Sequence, residues 1–88
     1  MRKSEDLFLD FWVVRVREFR VKMSFSQERL AEKLHVNVRN YQKLERGVHK
    51  PSAITLLLFL SLLPDQEILA FVHTFGKLAD AGHSEEVA

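Results

Sequence analysis

Residues 26–47 read Ser26-Gln27-Glu28-Arg29-Leu30-Ala31-Glu32-Lys33-Leu34-His35-Val36-Asn37-Val38-Arg39-Asn40-Tyr41-Gln42-Lys43-Leu44-Glu45-Arg46-Gly47, with Lys50-Pro51-Ser52 just beyond. Ser26 stands where a hydroxyl accepts from the orphan amides of a first helical turn. It therefore predicts a helix over 27–34, with Leu30, Ala31 and Leu34 as its apolar members. His35-Val36-Asn37 is then a short turn, and Asn37 caps a second helix over 38–46 that Gly47 ends. At about 100° per residue, Val38, Arg39, Gln42, Lys43 and Arg46 of that helix share an arc of about 140°, whereas Tyr41 and Leu44 lie opposite. One face is long, polar and cationic, and the other is apolar.

Helical punctuation continues on both sides of this stretch. From about 4 to 23, the residues Phe8, Leu9, Trp12, Val13, Val16, Phe19 and Met23 recur at three- and four-residue spacings and mark an inward face. Leu7, Phe11, Val14 and Val21 fall outside that stripe, so the first helix is more apolar than one buried face requires. Downstream, Ser52 caps a helix over 53–63, and Pro64-Asp65 restarts the chain for a fifth helix over about 66–80. The fourth pattern is apolar nearly all round, which predicts burial on every side. In the fifth, Ile68, Leu69, Phe71, Val72, Phe75 and Leu78 supply a lid for part of it. No repeat or strand pattern intervenes. The expectation is an all-α, five-helix single domain over residues 1–80, with a frayed, disordered tail over 81–88.

Two helices joined by a turn of about three residues, the first with a small alanine in its middle, form a helix-turn-helix signature over about 26–46. Tyr41 and Leu44 press such a second helix onto the domain while its polar face meets the major groove, where arginine suits guanine, glutamine suits adenine and Val38 can touch a thymine methyl. The stretch from about 16 to 63 resembles the phage repressor and Cro-type (XRE-like) helix-turn-helix family, whose fold is the lambda-repressor-like helical domain. The resemblance implies that Gln27 binds backbone phosphate and braces the recognition helix. It likewise implies that Ala31 is the small residue at the helix crossing and that Leu30, Leu34, Val36 and Leu44 are buried. Asn37, Val38, Arg39, Gln42 and Lys43 fall where the family places phosphate-anchoring and base-reading side chains, and Arg46, Lys50 and Asn40 match its flanking backbone contacts. Arg20 with Glu45 matches a structural ion pair that ties the first helix to the end of the third, which removes Glu45 from the DNA-binding set. Two positions depart from the family pattern. His35 stands where the family has glycine in the turn, and a positive φ there costs a non-glycine residue about 1 kcal/mol. Tyr41 replaces an aliphatic core residue, so its hydroxyl needs water, protein or phosphate.

Composition bounds the remaining choices. The chain has 88 residues and no cysteine, which excludes disulfides and thiolate metal sites and permits a reducing, cytoplasmic setting. The N-terminal residues, with Glu5 and Asp6 among them, do not resemble a signal peptide. The apolar run at 53–63 is well short of the roughly 20 residues that a membrane span needs, and Glu5, Asp6 and Asp10 argue against a membrane-surface first helix. Thirteen basic and twelve acidic residues nearly cancel, yet residues 1–50 hold 12 basic and 7 acidic side chains (+5) and residues 51–88 hold 1 and 5 (−4). A basic half suits a polyanion.

His35, His49, His73 and His83 include no i, i+4 pair, and no clustered carboxylates complete a metal site; no cofactor is expected. No Ser-His-Asp arrangement or glycine-rich phosphate loop points to an enzyme. Trp12 beside Phe8, Phe11 and Phe19 reads as core rather than as a ligand box. The surplus apolar surface of the first, fourth and fifth helices leaves two readings: an intramolecular lid, or a homodimer seam that sets two recognition helices about 34 Å apart on a palindromic operator. The expected function is thus a homodimeric, sequence-specific transcriptional repressor on double-stranded DNA. The alternative is a protein-interaction module, antitoxin-like or adaptor, that grips an unknown protein partner on the same scaffold.

Overall fold

The computed structural model describes residues 4–87, with side chains described through Ala81. Five helices follow in order: α1 (Ser4–Lys22), α2 (Gln27–Lys33), α3 (Val38–Glu45), α4 (Ala53–Ser61) and α5 (Asp65–Val87), with no strand among the described residues. Capping explains three of the starts. Ser26 Oγ accepts from Arg29 N at 3.0 Å, Asn37 Oδ1 from Asn40 N at 2.8 Å and Ser52 Oγ from Thr55 N at 3.1 Å, each satisfying an orphan amide of a first turn.

The ends of α1, α2 and α3 share one device. Beyond each last turn a residue takes positive φ, Ser24 at 57°, His35 at 60° and Gly47 at 77°. Its amide and the next one bond back to two free carbonyls: Ser24 N to Val21 O and Phe25 N to Arg20 O, His35 N to Glu32 O and Val36 N to Ala31 O, Gly47 N to Leu44 O and Val48 N to Lys43 O. These are three Schellman caps in series. The turn between α2 and α3 therefore keeps the backbone that a glycine would give it, with His35 holding the left-handed conformation.

Phe11, Trp12, Val16 and Phe19 of α1 meet Leu30, Ala31 and Leu34 of α2, Tyr41 and Leu44 of α3, Phe59 of α4 and Phe71 of α5 in one core. Aromatic edges knit it: Trp12 and Phe19 meet Phe59 at centroid distances of 5.1 and 5.4 Å, and Phe11 meets Phe71 at 4.9 Å.

The structure corrects several sequence expectations. Phe11, placed outside the inward stripe of α1, is buried, because α5 covers a second side of α1 and brings Phe71 and Phe75 against it. Met23, placed inside, follows the last residue of α1 and is exposed where the chain turns. Helix α4 is not buried all round: Ile54 and Leu57 are 72% and 65% exposed. Within the α5 lid only Phe71 is fully buried, while Leu69, Val72 and Leu78 face solvent. Helix α5 also runs on past the end near residue 80 that its apolar pattern gives. The frayed tail expected over 81–88 falls on residues that, beyond Ala81, lie outside those whose side chains are described.

Candidate nucleic-acid interface

Helix α3 is fixed along its inner side by burial and at its C-terminal end by a charge clamp. Tyr41 and Leu44 are buried, and Ala31, 2% exposed, leaves room for α2 to cross α3 closely. Glu45, 4% exposed, receives Arg20 in a two-point fork, Nε to Oε2 at 2.8 Å and Nη2 to Oε1 at 2.9 Å. Arg20 Nη1 also donates to Phe25 O at 3.2 Å, so a single guanidinium holds α1, the α1–α2 turn and the end of α3 together. Burial pushes the Glu45 carboxyl up, but the Arg20 hydrogen bonds and charge outweigh it and hold the group below the usual carboxylate range.

Two further contacts at this end were not anticipated. Arg17 Nη2 donates to Glu45 O at 3.2 Å, and the Trp12 indole donates to Leu44 O at 3.2 Å, buried. Both satisfy carbonyls of the last turn of α3. The signal for Arg17 was present, since it lies one turn before Arg20 on the same face of α1. For Trp12 there was none, because helical spacing places a ring inside without saying what its N–H will reach. The Tyr41 hydroxyl lies near Glu45 and Arg20 but reaches hydrogen-bond geometry with neither, and burial pushes its pKa above the ordinary phenol range. A phosphate contact from Tyr41 is ruled out by that burial.

The opposite face of α3 is open. Arg39, Asn40 and Gln42 are exposed, Lys43 is half-buried, and Arg46 is exposed at the C-cap. Among the described residues no acid pairs with Arg39, Lys43 or Arg46. Val38 is half-buried and packs against the core, so only part of its side chain faces outward. Asn37 is exposed with its Oδ1 committed to the cap. Gln27 opens α2 beside this face: its Oε1 accepts from Gln42 Nε2 at 3.1 Å, and its own Nε2 points to Glu45 Oε1 at 3.5 Å. Lys50 stands on the α3–α4 loop with Nζ 3.4 Å from Glu5 Oε2, an exposed pair that water and salt weaken.

A two-helix unit with a tight turn, a first helix that braces the second, and a second helix showing an unpaired cationic polar face define a helix-turn-helix DNA-binding domain. Comparison with protein-family models matches the helix-turn-helix family to residues 16–64, more than half of the chain. The protein belongs to the XRE-like, phage repressor and Cro-type branch of that family, whose members are DNA-binding regulators. Neither the curated proteins nor the solved structures gave a match. No helix among the described residues is long and apolar enough to cross a membrane.

Proposed function

We propose that the protein is a homodimeric, sequence-specific repressor that occupies a palindromic operator in the cytoplasm, with α3 in the major groove. The observation that carries this reading is the row Arg39, Gln42, Lys43 and Arg46, exposed save for the half-buried Lys43 and, among the described residues, without an acidic partner, on a helix whose other side is clamped. An unpaired cationic row on a rigid element attracts phosphate and offers donors to base edges. Arg39, Gln42 and Lys43, with the outer part of Val38, read bases. Gln27, Asn37, Asn40, Arg46 and Lys50 hold phosphates and set register. No chemistry on a substrate is required, since occupancy itself blocks transcription.

Ile54 and Leu57 on α4 and Leu69 and Val72 on α5 support the dimer, because each exposes about half or more of a large apolar side chain. The same exposed residues favour the second reading, an interaction module that grips a different protein. The two readings separate in one experiment: capture of random duplex DNA by the purified protein at about 0.15 M salt, a level that suppresses non-specific electrostatic binding. An enriched palindrome that disappears with Arg39→Ala/Gln42→Ala is the expected result. Folded protein that enriches no sequence favours the interaction module.

A further inference from the structure

Glu45 is an ionised carboxylate, so both of its oxygens only accept hydrogen bonds. They take the two-point fork of Arg20, and Oε1 also has Arg17 Nε at 3.8 Å and faces the Gln27 amide, nitrogen inward, at 3.5 Å. The reversed amide would set a carbonyl oxygen against a carboxylate oxygen that only accepts, and would forfeit the hydrogen bond that Nε2 donates. Gln27 therefore turns its Oε1 outward, where it accepts from Gln42 Nε2 at 3.1 Å. The choice passes on: Gln42 gives one N–H to Gln27 and keeps its Oε1 and its second N–H for the groove. A glutamine without such a partner can rotate its amide by 180° and offer either atom at the same point.

We propose that Glu45 and Gln27 are positioning residues that set the polarity of the Gln42 amide, and that the fixed acceptor makes Gln42 select adenine. Adenine presents N6–H to an acceptor and N7 to a donor, matching the two free groups of Gln42. Guanine and thymine place a carbonyl oxygen where Gln42 Oε1 stands, and a held amide cannot rotate away from it. Cytosine offers N4–H but nothing for the N–H. The relay rests on the reading of α3 as the groove-reading helix. It extends that reading by linking a buried ion pair to the identity of one base.

The test is selection from random duplexes with the wild type, Gln27→Met, Glu45→Gln and Gln42→Ala. The position that Gln42→Ala flattens is the base pair Gln42 reads. Gln27→Met is expected to lower the preference for adenine over guanine and thymine there by about tenfold, with the other positions keeping theirs. Glu45→Gln, which can offer Gln27 a donor as well as an acceptor, flattens the same position. An unchanged preference, or an equal loss at every position as a phosphate anchor alone would give, overturns the relay. A readout without DNA separates its failure from that of the DNA-reading proposal: the heteronuclear NOE of the Gln42 side-chain amide. That amide should be restrained in the wild type and released in Gln27→Met, and equal mobility in both overturns the relay whatever the DNA result. A wild type that enriches no site, with a restrained amide, overturns the base-selecting role because the groove reading has failed.

Discussion

Ser24 and His35 hold backbone angles that Gly47 holds without strain, and the difference is open to measurement. Left-handed φ costs an ordinary residue on the order of 1–2 kcal/mol, while replacement by glycine adds about 0.4–1 kcal/mol of unfolded-chain entropy. His35→Gly should therefore raise stability only slightly, by about 0.5 kcal/mol in urea titration. Gly47→Ala should lower it by about 2 kcal/mol, because the new Cβ meets positive φ and also sits 3.2 Å from Val13 Cγ2. Single cations on the candidate interface should separate by role. Arg39→Ala should cost about 1–3 kcal/mol on the selected site and flatten one base pair. Lys50→Ala should weaken binding evenly across sequences and reduce the salt slope by about one, as seen in a binding titration over several salt concentrations.

The elements are joined by the Arg20–Glu45 fork, and its pH dependence has a definite sign. The net pKa of Glu45 is depressed on folding, so its stabilisation is present above the unfolded-state pKa, near about 4.3, and lost as pH falls through the lower folded value. Arg20→Leu removes the largest influence that opposes burial at the carboxyl, leaving Arg17 Nε at 3.8 Å and the Gln27 amide beside it. The folded pKa then rises from its wild-type position, and less stability is gained as pH climbs past about 4.3. The variant should be about 3 kcal/mol less stable than the wild type at pH 7, with the gap narrowing towards pH 3 in denaturant titrations. Tyr41 in the same cluster gives the opposite kind of result. Its buried hydroxyl has no hydrogen-bond partner, so Tyr41→Phe should be neutral or stabilising by up to about 1 kcal/mol and should leave DNA affinity unchanged.

At the scale of the molecule, the open cationic face of α3 and the exposed apolar side chains of α4 and α5 fall on different elements, while Val14 and Val21 of α1 are exposed in the basic half. The basic N-terminal half carries the open face of α3, and the exposed apolar side chains of α4 and α5 belong to the acidic half. That separation allows one copy to hold DNA with one part and a second copy with another. Leu57→Glu, at an exposed position, should stay folded by circular dichroism, sediment as a monomer and lose binding to the palindrome. A variant that still sediments as the wild type does would count against the proposed dimer contact on α4.

Local chemistry wrote most of the helix-turn-helix unit into the sequence. Ser26, Asn37 and Ser52 cap through contacts with residues three positions on, and the facing of Arg39 and Gln42 against Tyr41 and Leu44 follows from helical period alone. These interactions span a turn or less, so a reader of the chain can see both partners. The contacts that lock the unit in place span 15 to 32 positions: Trp12 to the carbonyl of Leu44, Arg20 to Glu45, and Gln27 between Glu45 and Gln42. Resemblance suggested the second of these; the Trp12 contact and the polarity of the Gln27 amide needed the packed structure. Burial of Phe11 and exposure of Ile54 and Leu57 were likewise decided there. An apolar pattern records how much surface a helix wants to cover, whereas the direction from which α5 approaches α1 determines which part of it is covered.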